Sequence, residues 1–315
     1  MNSSRRTQTD LSNSTKKQGI LLVLVTMLLF AAHDVTSKYL TRYYPVSELL
    51  WVRYLTHVLF MLTVFGPRMR MVLVQTSRPF LQILRAMLLV SISFSFMYGL
   101  RYIPVAEATA IVYLYPLLVT ALSVPLLGER VPRNNWLVVA LGFLGVLIIV
   151  RPGGAALHIA ALCPFYTAIG NSLYLIITRI FKESESPVTT HFITGLVGVF
   201  ATSFAWQANW IMPAWHHAIL MVCLGLFAGF GHYLLIEAFR RVGPAVAAPY
   251  TYTQLMWVVL FSFLAFGQIP DAISFIGILI ITGCGLYLAL KQRQKHAGPV
   301  NNSEDEKNSE NSGTR

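Results

Sequence analysis

Charge is what this 315-residue chain has least of: charged residues make up 12% of it, against 55% hydrophobic ones. So little polar surface cannot cover a globule, and with a mean hydropathy of +0.60 an ordinary soluble fold is excluded. Cysteine is nearly as scarce. Cys163, Cys223 and Cys284 each sit in an apolar run without ligand spacing, which excludes a disulfide framework or a metal centre and marks them as buried spectators. No HExxH, no GxSxG and no Walker-type loop occurs, so common hydrolytic chemistry and ATP drive lack their residues. The glycines at Gly142, Gly145, Gly277, Gly283 and Gly285 follow no strand and are expected to serve close helix packing rather than phosphate binding.

What the chain does have is long apolar runs. A membrane-spanning helix needs roughly 20 largely apolar residues to cross about 30 Å of hydrocarbon, and about ten stretches meet that length. They run from Gly19 to Tyr39, Val46 to Gly66, Pro79 to Leu100, Pro104 to Leu127, Trp136 to Val150, Leu157 to Ile180, Val188 to Trp206, Pro213 to Phe239, Pro244 to Gly267 and Ala272 to Leu290. Runs such as LLVLVTMLLFAA do not alternate, so a barrel is excluded and the class is an all-α integral membrane protein with ten transmembrane helices. Lys16 and Lys17 precede the first run as in a signal peptide, but its length and its His33, Asp34 and Lys38 make it a span.

The net charge of +11 is topological rather than a nucleic-acid footprint. Threading ten spans from an inside N-terminus puts sixteen Lys and Arg on the cytoplasmic side, among them Arg68, Arg130, Arg133, Arg179, Lys182, Arg240 and Arg241. Four remain outside: Lys38, Arg42, Arg101 and Arg151. That split matches the positive-inside rule for a cytoplasmic (inner) membrane protein with both termini cytoplasmic. The tail GPVNNSEDEKNSENSGTR is polar, aromatic-free and expected to be disordered.

A shift of 139 residues aligns the chain with itself, pairing Arg101 with Arg240, Ala106 with Ala245, Ala108 with Ala247, Tyr113 with Tyr252, Val119 with Val258, Ser123 with Ser262 and Gly128 with Gly267. The same shift carries the first span onto the sixth, giving five spans per half, and an odd number per half inverts the second copy. The expected organisation is a cytoplasmic tail over 1–18, repeats over 19–152 and 153–290, and a cytoplasmic tail over 291–315. The stretch GLRYIPVAEATAIVYLYPLLVTALSVPLLGERV, with Pro116 and Leu127-Gly128-Glu129, resembles the signature of the EamA-type drug/metabolite transporters. So do AHDVTSK in the first span, LLWVRYL around Arg53 and APYTYTQLMW in the ninth. Pro116 and Glu129 meet Leu255 and Gln268 in the second half, a departure from the signature.

Ionisable residues inside spans are costly in hydrocarbon and point to mechanism. By helical rise, Asp34 lies roughly 9 Å and Arg53 roughly 10 Å below the outer surface, with Lys38 and Glu107 within about 5 Å of it. Equal depth predicts Asp34 paired with Arg53 and Lys38 with Glu107, as an outward-side cluster on the solute route. The other reading has Asp34 bridging to Lys38 one turn on, with Arg53 and Glu107 snorkelling. Arg85, about 9 Å inside the third span, has only Glu237 near its level. It either attracts an anionic solute group or snorkels to the headgroups. His33, His57 and His232 are candidate proton relays, with hydrogen-bonded packing as the alternative.

Pro244 and Pro249 predict a broken ninth helix whose freed backbone lines a cavity with Tyr250, Tyr252 and Gln254. Tyr113 and Tyr115 occupy the matching stretch of the fourth span, with Asn171 and Tyr174 on the sixth as further candidates. Together these residues describe a secondary transporter of a small organic solute working by alternating access, with protons as the candidate coupling ion and no cofactor, metal or nucleic acid. The family resemblance implies metabolites such as riboflavin or an amino-acid- or nucleoside-derived solute like S-adenosylmethionine. A membrane-embedded enzyme using Asp34, His33 and Glu107 is the alternative. Monomer and homodimer stay equally open.

Overall fold

The computed structural model describes residues 2–129, 131–151, 160, 162–181, 185–206 and 210–296, and no strand occurs among them. The helices are α1 (Asn2–Leu40), α2 (Val46–Met69), α3 (Pro79–Gly99), α4 (Val105–Val112), α5 (Tyr115–Leu127), α6 (Arg133–Val150), α7 (Leu162–Phe181), α8 (Pro187–Trp206), α9 (Trp215–Val242), α10 (Pro244–Thr251), α11 (Thr253–Phe266) and α12 (Ala272–His296), with a 3-10 turn at Arg70–Val74. The start of the sixth predicted span at 157–159, Arg130, Lys182 and the tail from 297 onward lie outside the described residues.

Eight of the described helical segments are long and apolar enough to cross a membrane, with α4 and α5 counted as one. The α7 helix falls short of that measure because Thr167, Asn171, Ser172 and Arg179 dilute its apolar character. The α10–α11 pair, in pieces of 8 and 14 residues, is not among the eight either. At the two ends the helices outrun the expected spans: α1 begins at Asn2, and α12 passes Leu290 to reach His296, with Lys291 Nζ donating to Asn135 Oδ1 of α6 at 2.7 Å.

Local sequence explains the terminations. The α5 and α11 helices end at Gly128 (φ 66°) and Gly267 (φ 65°), left-handed positions where a side chain would be strained. Pro79 and Pro244 open α3 and α10, where a missing N–H costs nothing. The break between α10 and α11 follows Pro249. Leu255 N–H bonds to Tyr252 O three residues back, at 3.1 Å, instead of to Thr251 O, so the Thr251 carbonyl is free for another donor.

The chief packing pairs are α1 on α9, α6 on α12, α2 on α8 and α9, α3 on α7 and α8, α1 on α11, and α5 on α7. Glycines set the tightest of these. A Cβ on Gly277 would lie 2.7 Å from Gly145 O, so α6 and α12 cross backbone to backbone. On α9, a Cβ on Gly225 would lie 2.8 Å from Arg53 O, and one on Gly229 would touch His57, so these glycines draw α2 inward. Gly142 and Gly285 seat Leu117 and Tyr252 in the same way. Gly283 differs from expectation: it faces open space and holds nothing close. The three cysteines are free and half-buried rather than buried. Large apolar side chains such as Phe80, Phe204 and Leu264 point outward, as a lipid-facing surface requires.

Candidate functional site

Inside the bundle the polar side chains gather in two clusters. The first centres on Asp34 of α1, which is buried. Gln254 Nε2 donates to Asp34 Oδ2 at 2.9 Å and Thr109 Oγ1 donates to the same oxygen at 3.4 Å. His33 Nδ1 lies 3.2 Å from the other oxygen, Oδ1. Beyond Gln254 the Tyr113 hydroxyl shares its proton between Thr251 O at 2.7 Å and Gln254 Oε1 at 3.0 Å. The Thr251 carbonyl is the one released by the helix break, so the break is closed by a hydroxyl from the residue that caps the end of α4. Tyr113 and Tyr252 pack with ring centroids 5.1 Å apart, and the Tyr252 hydroxyl, against Gly285, is buried without a partner.

The second cluster is basic. Arg85 of α3 is 3% exposed; its guanidinium lies over the Tyr174 ring at 4.4 Å and donates from Nη2 to the Tyr174 hydroxyl at 2.5 Å, while Nε and Nη1 find no acceptor. His191 of α8 sits between His57 of α2 and His232 of α9, with ring centroids 4.1 and 4.9 Å away. The Nε2 atoms of His57 and His191 also lack partners. Arg53 and Arg85 both act electrostatically on His191 and His232. No group of three or more His, Cys, Asp or Glu among the described residues is placed to hold a metal ion.

The charge pairs expected from depth are not made. No ion pair joins Asp34 to Arg53; the Arg53 guanidinium instead lies over the Tyr54 ring at 5.3 Å. Lys38 Nζ donates to Leu100 O at 2.9 Å and Ile103 O at 2.7 Å, capping carbonyls at the end of α3 rather than meeting Glu107 or Asp34. Glu107 lies beside Ser274, Asp271 and Arg151 at the α6–α12 end, within electrostatic reach of Lys38 but in no ion pair with it. There Arg151 hydrogen-bonds Asp271 and holds that carboxyl well below the usual carboxylate range. Tyr250 packs against the apolar cluster of Val23, Met27, Ala238 and Ala247. Arg85 does not snorkel, since its guanidinium is enclosed by the bundle, and Glu237 is engaged by Arg240 and Arg241.

A family model described as the EamA-like transporter family matches residues 17–151 and again 158–290. The chain belongs to the EamA-like transporter family. Similar curated proteins are named as transporters rather than enzymes. An S-adenosylmethionine uptake transporter of Rickettsia bellii is 29% identical over 88% of this chain and 94% of its own length. A riboflavin transporter of Rhizobium johnstonii is 25% identical over 90% and 94%. One solved crystal structure shares the fold, with a TM-score of 0.62 at 18% identity over 88% of this chain and 97% of that one.

Within this EamA-like transporter, two site residues escaped the reading of the sequence. Thr109 looked like an ordinary small residue of a packed helix. His191 sits in a threonine-rich stretch, VTTHFIT, with no charged neighbour to draw notice. A census of every intramembrane histidine, rather than of charges alone, would have found it.

Proposed function

We propose that the protein is a secondary transporter moving a small organic metabolite across the cytoplasmic membrane by alternating access, its halves rocking about the junction of α1, α4 and the α10–α11 break. The observation that carries this reading is the hydrogen-bonded path Asp34–Gln254–Tyr113–Thr251, which crosses between the halves three times and ends on a carbonyl freed by a broken helix. Such a path has two clear states, made and broken, which is what a rocking transporter needs at its midplane.

Ten spans follow when α7 and the α10–α11 pair are added to the eight apolar segments. Inversion of the halves is supported by contacts that interchange on exchanging them: α1 packs on α9 as α7 packs on α3, and α1 on α11 as α7 on α5. The names of the relatives favour a solute of the S-adenosylmethionine or riboflavin kind, and protons are the coupling ion of this proposal. The test is uptake by the purified protein in liposomes, offered S-adenosylmethionine, riboflavin and a mixed metabolite pool with and without an imposed pH gradient. Saturable accumulation of at least one solute is expected. Accumulation of none under either condition overturns the reading, and chemical conversion of a solute would select an enzyme instead.

A further inference from the structure

We propose that the basic cluster around Arg85 is the seat of an oxyanion group, a carboxylate or phosphate, on the transported solute. This rests on the transporter reading above and gives that reading a substrate class: solutes recognised through a negative charge.

A guanidinium is never deprotonated in a protein and carries five N–H donors. Leaving it buried and unpaired costs far more than leaving it at a headgroup. Yet Arg85 is enclosed by the bundle with Nε and Nη1 unmet, and its one hydrogen-bond partner, the Tyr174 hydroxyl, is neutral. The Tyr174 ring beneath it fixes the plane of the fork without neutralising it. Its electrostatic neighbours are imidazoles, not carboxylates: Arg85 acts on His191 from α8 and His232 from α9, and Arg53 and His57 from α2 act on the same two rings.

The carboxylate that would balance these charges is already spent. Both Asp34 oxygens accept hydrogen bonds or face His33, and no ion pair links Asp34 to either arginine. The other buried carboxylate, Glu48 in the first turn of α2, accepts from Ile211 N–H and forms no ion pair with either arginine, so Arg85 has no carboxylate partner among the described residues. The unmet Nε2 atoms of His57 and His191 offer further polar contacts beside the guanidinium. An oxyanion has the charge Arg85 lacks and enough lone pairs to take several donors at once.

The test uses the full-length protein in detergent and pairs of solutes differing in one anionic group: riboflavin with its 5′-phosphate, S-adenosylmethionine with its decarboxylated form, and succinate with its dimethyl ester. Binding is read by calorimetry and by thermal stabilisation. In at least one pair the anionic member should bind about tenfold tighter or more. Arg85→Gln should abolish that preference, Arg85→Lys should keep part of it, and Arg133→Gln, at an exposed position, should leave it unchanged. If no pair favours its anion in the wild type, or if Arg85→Gln or Arg85→Lys binds the anion as the wild type does, the proposal is overturned. Should Arg85→Gln not fold, the wild-type pairs and Arg85→Lys decide alone. Because binding is scored without transport, an anion preference with no liposome uptake would remove the transporter reading and leave the anion site standing.

Discussion

At Asp34 both carboxylate oxygens are engaged, and its hydrogen-bonded partners come from α4 and α11. At Arg85 the partner is one phenol, and two of the three guanidinium nitrogens have no acceptor. Both side chains are ionisable and similarly buried, at 6% and 3% exposure, so burial does not separate them. Saturation does. A saturated charge in a dry interior holds helices in one arrangement, whereas an unsaturated one raises the energy of the empty protein until something else supplies the missing partner. The first cluster is therefore built to pin the halves together, and the second to be completed by a solute.

The contrast is broken or upheld most strongly by removing each charge in turn and measuring unfolding in detergent. Asp34→Ala strands Gln254 Nε2 and Thr109 Oγ1 and leaves His33 without its neighbour, and is expected to cost about 1–3 kcal/mol for each stranded donor. Arg85→Met removes a charge that nothing neutralises, so the solute-free protein should keep its stability or gain about 1 kcal/mol or more, while solute binding is lost. Equal destabilisation by the two changes would dissolve the distinction.

A finer version uses the two tyrosines that the 139-residue shift pairs. Tyr113 serves two acceptors, including the carbonyl freed at the break, and Tyr252 serves none. Tyr113→Phe should therefore lower stability by about 1–2 kcal/mol, and Tyr252→Phe should stay within about 0.5 kcal/mol of wild type. Chemical denaturation of the two variants side by side gives the comparison directly, and a reversed order would place the pin in the second half instead.

The fold was largely legible because its signals are one-dimensional. Apolar length marks a span, Pro244 and Pro249 announce a helix that cannot complete its ladder, and Gly128 and Gly267 stand where left-handed backbone ends a helix. The clusters were legible only in part, because depth along a helix says nothing about direction around it. Asp34 and Arg53 have equal expected depth, yet Asp34 turns to α4 and α11 while Arg53 lies over Tyr54. Lys38 and Glu107 part for a further reason: the end of α3 leaves carbonyls at Leu100 and Ile103 that need a donor, and Lys38 meets that need. Tyr250, beside Pro249, packs among apolar neighbours, a placement that its phenol does not announce in the sequence.

The smallest expected effect lies outside both clusters and serves as their control. Arg151 and Asp271 form an ion pair at the α6–α12 end, with side chains 41% and 53% exposed, and Ser274 N–H donates to Asp271 Oδ1 at 2.8 Å. The arginine is the main cause of the lowered Asp271 pKa, with the Ser274 bonds helping. A carboxyl whose folded pKa is depressed contributes stability that is fully present above its unfolded value, about 3.9. That contribution fades as pH falls from there through the folded value. Wild type should therefore exceed Asp271→Asn by a small, constant margin from neutrality down to about pH 5, and the margin should close only in more acidic solution. Because both partners are solvent-exposed, high salt should shrink it as well. Melting curves of the two proteins across pH check this, and a margin that instead closed between pH 6 and 8 would mean that a histidine, rather than Asp271, sets the stability of that end.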